Sequence, residues 1–238
     1  MTKNPKRLAN NVAYVLLSGG IDSTTCLAIA YNEFDEVRAI SVDYGQRHKK
    51  ELQYAKKTCN QAGIHHQILS LKHIVPKTML TDKRAKVPHT SYDKIKGVSP
   101  TYVPFRNGLM LSLLASHVHG TLKNEGLDGE GFEHGIYFGA HAEDAQNWAY
   151  PDCTPEFIGS MSSAIFIGTY QRIRLHTPLM WLRKSEIIRR GEILGVDWCT
   201  TWSCYKGERL HCGQCPTCLA RIRGFQLAGV QDPTVYAK

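Results

Sequence analysis

No run of apolar residues in this chain approaches the roughly 18 needed to cross a bilayer as a helix. The first eleven residues are polar and basic, and the apolar stretch Val12–Leu17 is too short for the core of an export signal. A cytoplasmic protein is the expectation. Internal repeats are missing, and so is a linker that would separate two full domains. The first glycine-bearing turn has no Gly-Lys-Ser/Thr and no second glycine pair, which excludes a Walker loop and a dinucleotide-binding turn. There is also no dense basic tail. The formal net charge is +8, but its lysines and arginines are spread over Lys3–Arg7, Arg47–Lys50, Lys83–Lys86 and Arg183–Arg190. The charge points to anionic partners, nucleic acid or phosphorylated small molecules, or to a soluble protein that is simply basic; the spread argues against a dedicated nucleic-acid arm, and tight nucleic-acid binding is not expected.

What is present fits an α/β protein. The 238 residues suffice for one large domain with a small appendage. Ala13–Leu17 is apolar throughout, as a strand buried on both faces would be. Asp22 and Ser23 suit a helix start, with Leu27, Ile29 and Ala30 continuing the helix. Val37–Val42 reads as a second strand. Leu52, Ala55, Cys59 and Ala62 mark an amphipathic helix ending at Gly63, and His66–Leu69 reads as a third strand. Helical spacing returns over Asn107–His119 and Arg183–Leu194, with strand candidates at Ile136–Phe138 and Arg172–His176. Polar, turn-rich segments at 71–102 and 120–135 read as mobile insertions. The alternation predicts a doubly wound, mostly parallel sheet, which binds ligands at the carboxyl ends of its strands. Residues 18–25 and "DYGQRH" (43–48) would lie there.

Eight cysteines are unevenly placed. Cys26, Cys59 and Cys153 are scattered, whereas Cys199, Cys204, Cys212, Cys215 and Cys218 crowd the end of the chain. Without an export signal, such clustering points to a metal site rather than disulfides. Cys212-x2-Cys215-x2-Cys218, with Cys204 or Cys199 upstream, supplies four soft ligands for a tetrahedral, structural Zn2+. A C-terminal zinc-binding segment (199–238), packed on the 1–198 domain, is expected.

The stretch "LLSGGIDSTTC" (16–26) places two glycines between a strand and a helix. Backbone N–H groups at such a turn can face an anion, aided by the helix N-terminus; the alternative is a plain turn capped by Asp22. The string resembles the pyrophosphate loop (PP-loop) of the N-type ATP pyrophosphatases, whose fold is adenine nucleotide alpha hydrolase-like. The resemblance implies ATP cleaved between its α and β phosphates, with Ser18, Asp22 and Ser23 in the catalytic loop. ATP contacts would come from Leu17, Ser18, Gly19, Gly20, Ile21, Asp22, Ser23, Thr24, Thr25, Cys26 and Leu27. Asp43 and Gln46, after the second strand, would add to them.

"DYGQRH", "VPFRN" (103–107), "YPDC" (150–153), "TPLMWLRKSEI" (177–187) and "SCYKG…HCGQCPTC" follow in one order. Together they look like the 7-cyano-7-deazaguanine synthases, the QueC family. The resemblance implies that 7-carboxy-7-deazaguanine is adenylated and converted by ammonia to the amide, which is adenylated again to leave the nitrile. Mg2+ would accompany ATP, Lys184 would approach the phosphates, and Arg47, Arg106, Asn107 and Asp152 would meet the substrate; His141, Glu143 and Asp144 face the same rim. The family pattern "SCY" selects Cys204 as the fourth zinc ligand, and a homodimer is implied. Two departures stand out: Thr154 where arginine is usual, and "AHAEDAQNWA" (140–149). They keep open an amide end point or a different acceptor, and a PP-loop enzyme that modifies transfer RNA is the reading from another class.

Overall fold

A computed structural model describes residues 8–237, except 90, 92, 93, 95 and 96; the basic run Lys3–Arg7 and part of the 71–102 insertion lie outside the described residues. Five parallel strands form one sheet: β1 (Leu8–Leu16), β2 (Phe34–Asp43), β3 (His65–Ser70), β4 (His134–Tyr137) and β5 (Ile173–His176). Their spatial order is β3-β2-β1-β4-β5. The chain therefore winds outward in one direction from β1 and then in the other from β4. The reversal opens a crevice beyond the carboxyl ends of β1 and β4, where such sheets bind ligands.

Alternation along β1 divides the core into two layers. Ala13, Val15 and Leu17 face helices α1 (Ile21–Glu33), α6 (Lys184–Ile193) and α7 (Pro216–Ala228), through Leu27, Ile187, Ile188 and Phe225. On that same face α2 (Lys50–Ala62) contributes Ala55 and Cys59. Val12, Tyr14 and Leu16 face α3 (Arg106–Asn124) and α5 (Pro155–Gly168), through Leu111, Leu114, Ile158 and Ile165. No helix among the described residues is long and apolar enough to cross a membrane.

The periodicity located β3, β4, β5 and α2 within a residue or two, whereas β1 begins five residues and β2 three residues before the expected starts. Differences arise where tertiary partners extend or create an element. The segment 120–135 is not one insertion: residues 120–124 continue α3, whose Leu122 is fully buried, and 134–135 already belong to β4. Helix α5 was not anticipated from its weakly patterned, small-residue sequence. Its start signal is nevertheless local: Thr154 Oγ1 accepts the Phe157 N–H (3.2 Å) ahead of Pro155. The short helix α4 (Ala142–Ala145) follows β4. Between β3 and α3, the described residues of 71–102 contain no α-helix or strand. They are tied down by bonds such as Arg47 N–H to the Leu80 carbonyl (2.8 Å).

Candidate active site

The turn after β1 is built by close approach. Gly19 has φ +82°, and a Cβ there would meet the carbonyl oxygen of Glu51 and come within 2.8 Å of Ala55 N, so only glycine admits α2 at this distance. Helix α1 begins at Ile21 with Gly20 at the N-cap and no side chain capping it. Asp22, which would cap the helix in the alternative reading of a plain turn, lies instead in the first turn with its carboxylate on Lys184. The first N–H groups of α1 are thereby left for an anion, and the helix dipole favours one. Ser18 and Ser23 hold the turn: Ser23 Oγ accepts the Ser18 N–H (3.2 Å) and shares a hydrogen bond with Ser18 Oγ (3.0 Å).

This turn opens on a cavity of about 230 Å³ at the β1/β4 crevice. Leu17, Ser18, Gly20, Ile21, Asp22 and Ser23 line it, whereas Thr24, Thr25, Cys26 and Leu27 are buried behind it. Of those four, Thr25 Oγ1 bonds the Ile21 carbonyl (3.0 Å), and Cys26 and Leu27 sit in the apolar layer beneath α6.

Lys184 reaches the loop across the crevice. Its Nζ donates to both Asp22 oxygens (2.7 Å each) and to His141 Nε2 (3.0 Å), so all three of its hydrogens are engaged. Burial alone would push the Asp22 carboxyl up. Lys184, with His141, overcomes that and holds it below its ordinary 3.8. Burial likewise opposes charge on Lys184, and Asp22 and Asp144 reverse the effect, raising its pKa. Glu143 fixes the lysine's backbone by accepting its N–H (2.8 Å), and His141 Nε2 lies 3.3 Å from Asp144 Oδ2. Gly139 lets the β4 loop close on α1, since a Cβ there would come within 3.1 Å of Ser23 N.

The opposite wall holds the neighbours Arg106 and Asn107, with Asp152 bonded to Asn107 from 45 positions along the chain. Asp152 Oδ2 accepts the Asn107 N–H (3.0 Å) and so caps α3 from another segment; Asn107 Nδ2 donates back to the Asp152 carbonyl (3.2 Å) and to Cys153 Sγ (3.3 Å). Burial pushes the Asp152 carboxyl up. Arg106 and Asn107 line the cavity, with the Arg106 guanidinium 5.6 Å from the Tyr44 ring centre.

The residues after β2 are distributed differently. Val42, Tyr44 and His48 line the cavity, but Asp43, Gln46 and Arg47 do not. Asp43 holds the Gly45 N–H (3.0 Å) and pairs with Lys72 (3.0 Å). Gln46 is fully buried, bonding the Tyr44 N–H (2.9 Å), the Val42 carbonyl (3.1 Å) and Glu51 (2.8 Å). Arg47 borders a separate hollow with Lys86, His89 and Lys206. Alternation at the end of β2 turns Asp43 away from Val42 and Tyr44, whereas Gln46 and Arg47 lie in the irregular turn beyond the strand, where their own hydrogen bonds to Tyr44, Val42 and Ala85 hold them off the crevice.

The cavity also uses Tyr150 of the "YPDC" motif and two residues the sequence did not single out, Trp202 and Arg221. No local pattern marks those two, because each arrives from a different segment. Trp202 is the most informative. It precedes the cysteine cluster, and its backbone N–H donates to the Gly19 carbonyl (2.8 Å).

Cys204, Cys212, Cys215 and Cys218 are buried with their sulfurs all within 4.8 Å of one another; Cys212 and Cys218 are 4.0 Å apart. Four thiolates at about 2.3 Å from one tetrahedral ion would be spaced by about 3.8 Å, so the set fits a metal. Backbone N–H groups of Cys212 and Cys215 point at the sulfurs of Cys204 (3.4 Å) and Cys212 (3.3 Å). Cys199 is exposed and stands outside the cluster.

The strand order, the glycine turn at the reversal and the uncapped helix above it define a PP-loop α/β protein. A solved NMN synthetase from Francisella tularensis shares this fold with a TM-score of 0.50 at 16% identity, covering 94% of this chain and 79% of that one. At the level of sequence, the family model described as "Queuosine biosynthesis protein QueC" matches residues 12–229, and the chain belongs to the QueC family. It is 44% identical over 231 residues to a 7-cyano-7-deazaguanine synthase of Leptospira interrogans, covering 94% of this chain and 90% of that one. A 7-cyano-7-deazaguanine synthase of Thermoplasma acidophilum is 40% identical, with 95% and 92% covered.

Proposed function

We propose that this protein is an ATP-dependent carbon–nitrogen ligase that converts 7-carboxy-7-deazaguanine and ammonia to 7-cyano-7-deazaguanine. The observation that carries the reading is the uncapped glycine turn at the mouth of the crevice cavity, in a chain matched over 94–95% of its length by synthases of that name. A carboxylate resists ammonia because oxide is a poor leaving group. Transfer of AMP from ATP to the carboxylate releases pyrophosphate, and ammonia then displaces AMP to give the amide and a proton. A second adenylation, on the amide oxygen, releases another pyrophosphate, and loss of AMP leaves the nitrile.

The chain's own groups suit both rounds. The α1 amides and the Ser18 and Ser23 hydroxyls would receive the departing pyrophosphate, and the Lys184 ammonium would balance its charge. Mg2+ would enter with ATP. Arg106 and Asn107, held by Asp152, would position the deazaguanine. A Zn2+ ion on Cys204, Cys212, Cys215 and Cys218 would be structural, since four thiolates leave no open coordination position. Free thiols in such a cluster accord with a cytoplasmic location, and a homodimer, implied by the family, would show in light scattering.

The test is mass spectrometry of the products formed from 7-carboxy-7-deazaguanine, ammonium, ATP and magnesium. Nitrile with two AMP per turnover is expected. Amide alone would mean that the second round is absent, and no pyrophosphate release would defeat the reading.

A further inference from the structure

We propose that Trp202 is a positioning residue through which the cysteine-bound metal sets the geometry of the nucleotide loop. The inference rests on the reading that the loop holds ATP phosphates, and it assigns a role to a residue outside every motif named above.

The starting point is one peptide plane. The Gly19 carbonyl oxygen and the Gly20 N–H belong to the same planar, trans peptide and so point in opposite directions. Gly19, without a Cβ and at φ +82°, has the dihedral freedom that a flip of that plane requires. Flipping would turn a carbonyl, not an N–H, towards the cavity. What selects the orientation is the Trp202 N–H, which binds the Gly19 carbonyl at 2.8 Å from the rim of the cavity. The Gly20 N–H is then aimed at Ser18 Oγ (3.4 Å), among the residues lining the phosphate side.

Trp202 can hold the carbonyl only if its own backbone is fixed, and the cysteine segment fixes it. Its indole Nε1–H donates to the Cys204 carbonyl (2.9 Å). Its ring lies 4.1 Å, centre to centre, from His211, the neighbour of Cys212, and 5.2 Å from Tyr54. The preceding Thr201 is held by the buried Arg221 of α7, whose Nη1 donates to Thr201 Oγ1 (2.8 Å). Two of the four thiols, Cys204 and Cys212, thus flank the anchor of the Gly19 peptide. With the thiols unligated, residues 202–204 lose their tether on the cysteine side, Thr201 alone stays held by Arg221, and the peptide is freer to turn.

The experiment measures equilibrium binding of α,β-methylene-ATP to the full chain in three forms: zinc-loaded, zinc-depleted, and zinc-loaded W202F. Metal content is assayed alongside, and the fold is followed by circular dichroism. W202F keeps an aromatic ring but removes the indole donor. We expect nucleotide binding to weaken about five- to tenfold on depletion, and by several-fold in W202F at unchanged zinc content, the size appropriate to one hydrogen bond. Linkage requires the reciprocal effect: the nucleotide should tighten zinc retention against a chelator by the same factor. That measurement decides the matter if the depleted protein unfolds. Equal nucleotide affinity in all three forms, or zinc retention indifferent to nucleotide, overturns the proposal. Failure of the zinc-loaded wild type to bind the nucleotide would instead overturn the reading of the loop.

Discussion

Two residues at the loop carry separable physical burdens. Gly19 and Gly45 both have positive φ, but only Gly19 has backbone packed against its missing side chain. Gly19→Ala is expected to cost about 3 kcal/mol through collision and strain together, against about 1 kcal/mol for Gly45→Ala, where strain acts alone. Urea midpoints at constant slope would measure the difference. Lys184 is the sole cation donating to Asp22 among the described residues. The Asp22 carboxyl is held below 3.8, so the stability this pair contributes is present above pH 3.8 and is lost as pH falls through the lower folded value. Lys184→Met removes the larger lowering charge and leaves burial opposed chiefly by His141. The acid limb of stability should move to higher pH, and kcat/KM should fall by about 100-fold or more. A variant with unchanged acid unfolding would separate Lys184 from Asp22 in solution. The loop residues were legible because their chemistry is local. The engagement of Lys184 by Asp22 was not, being made across 162 positions.

Elements were legible where burial imposes a period and obscure where a distant partner completes them. Helix α2 shows a clean apolar stripe. Helix α5 buries Ile158 and Ile165 but otherwise presents small and mixed residues, so its spacing carries little signal. Between elements, His134 joins β1 to the turn after α3. Its Nδ1 accepts the Val12 N–H (3.0 Å), which leaves Nε2 as the donor to the Leu127 carbonyl (2.7 Å). Burial lowers its pKa from 6.5, as it does for His66 and His176. Each depressed value means that the unfolded chain takes protons first. Stability should therefore be full above about pH 6.5 and decline as pH falls through the folded values. Urea midpoints at pH 7 and pH 5 test this, and His134→Ala, which orphans a buried N–H, should cost about 2 kcal/mol at pH 7.

At the scale of the whole molecule, the cysteine segment is joined to the sheet rather than appended to it. Helix α7 places Phe225 in the same apolar layer as Leu27 and Ile187, while Cys218 of that helix completes the thiol cluster. Cys218→Ser should abolish stoichiometric zinc and lower the melting temperature, whereas Cys199→Ser should leave zinc content at one per chain, as read by metal analysis. The alternation of strands and helices, the glycine turn after β1 and the spacing of Cys212, Cys215 and Cys218 were all set by the sequence alone, because each depends on neighbours within a few positions. Only the folded chain decided that Tyr44 and His48, not Asp43, Gln46 and Arg47, reach the cavity, that Asp152 caps α3, and that Trp202 holds the Gly19 peptide. Those outcomes depend on which face a strand end presents and on which segments a parallel sheet brings side by side, and no local periodicity encodes either.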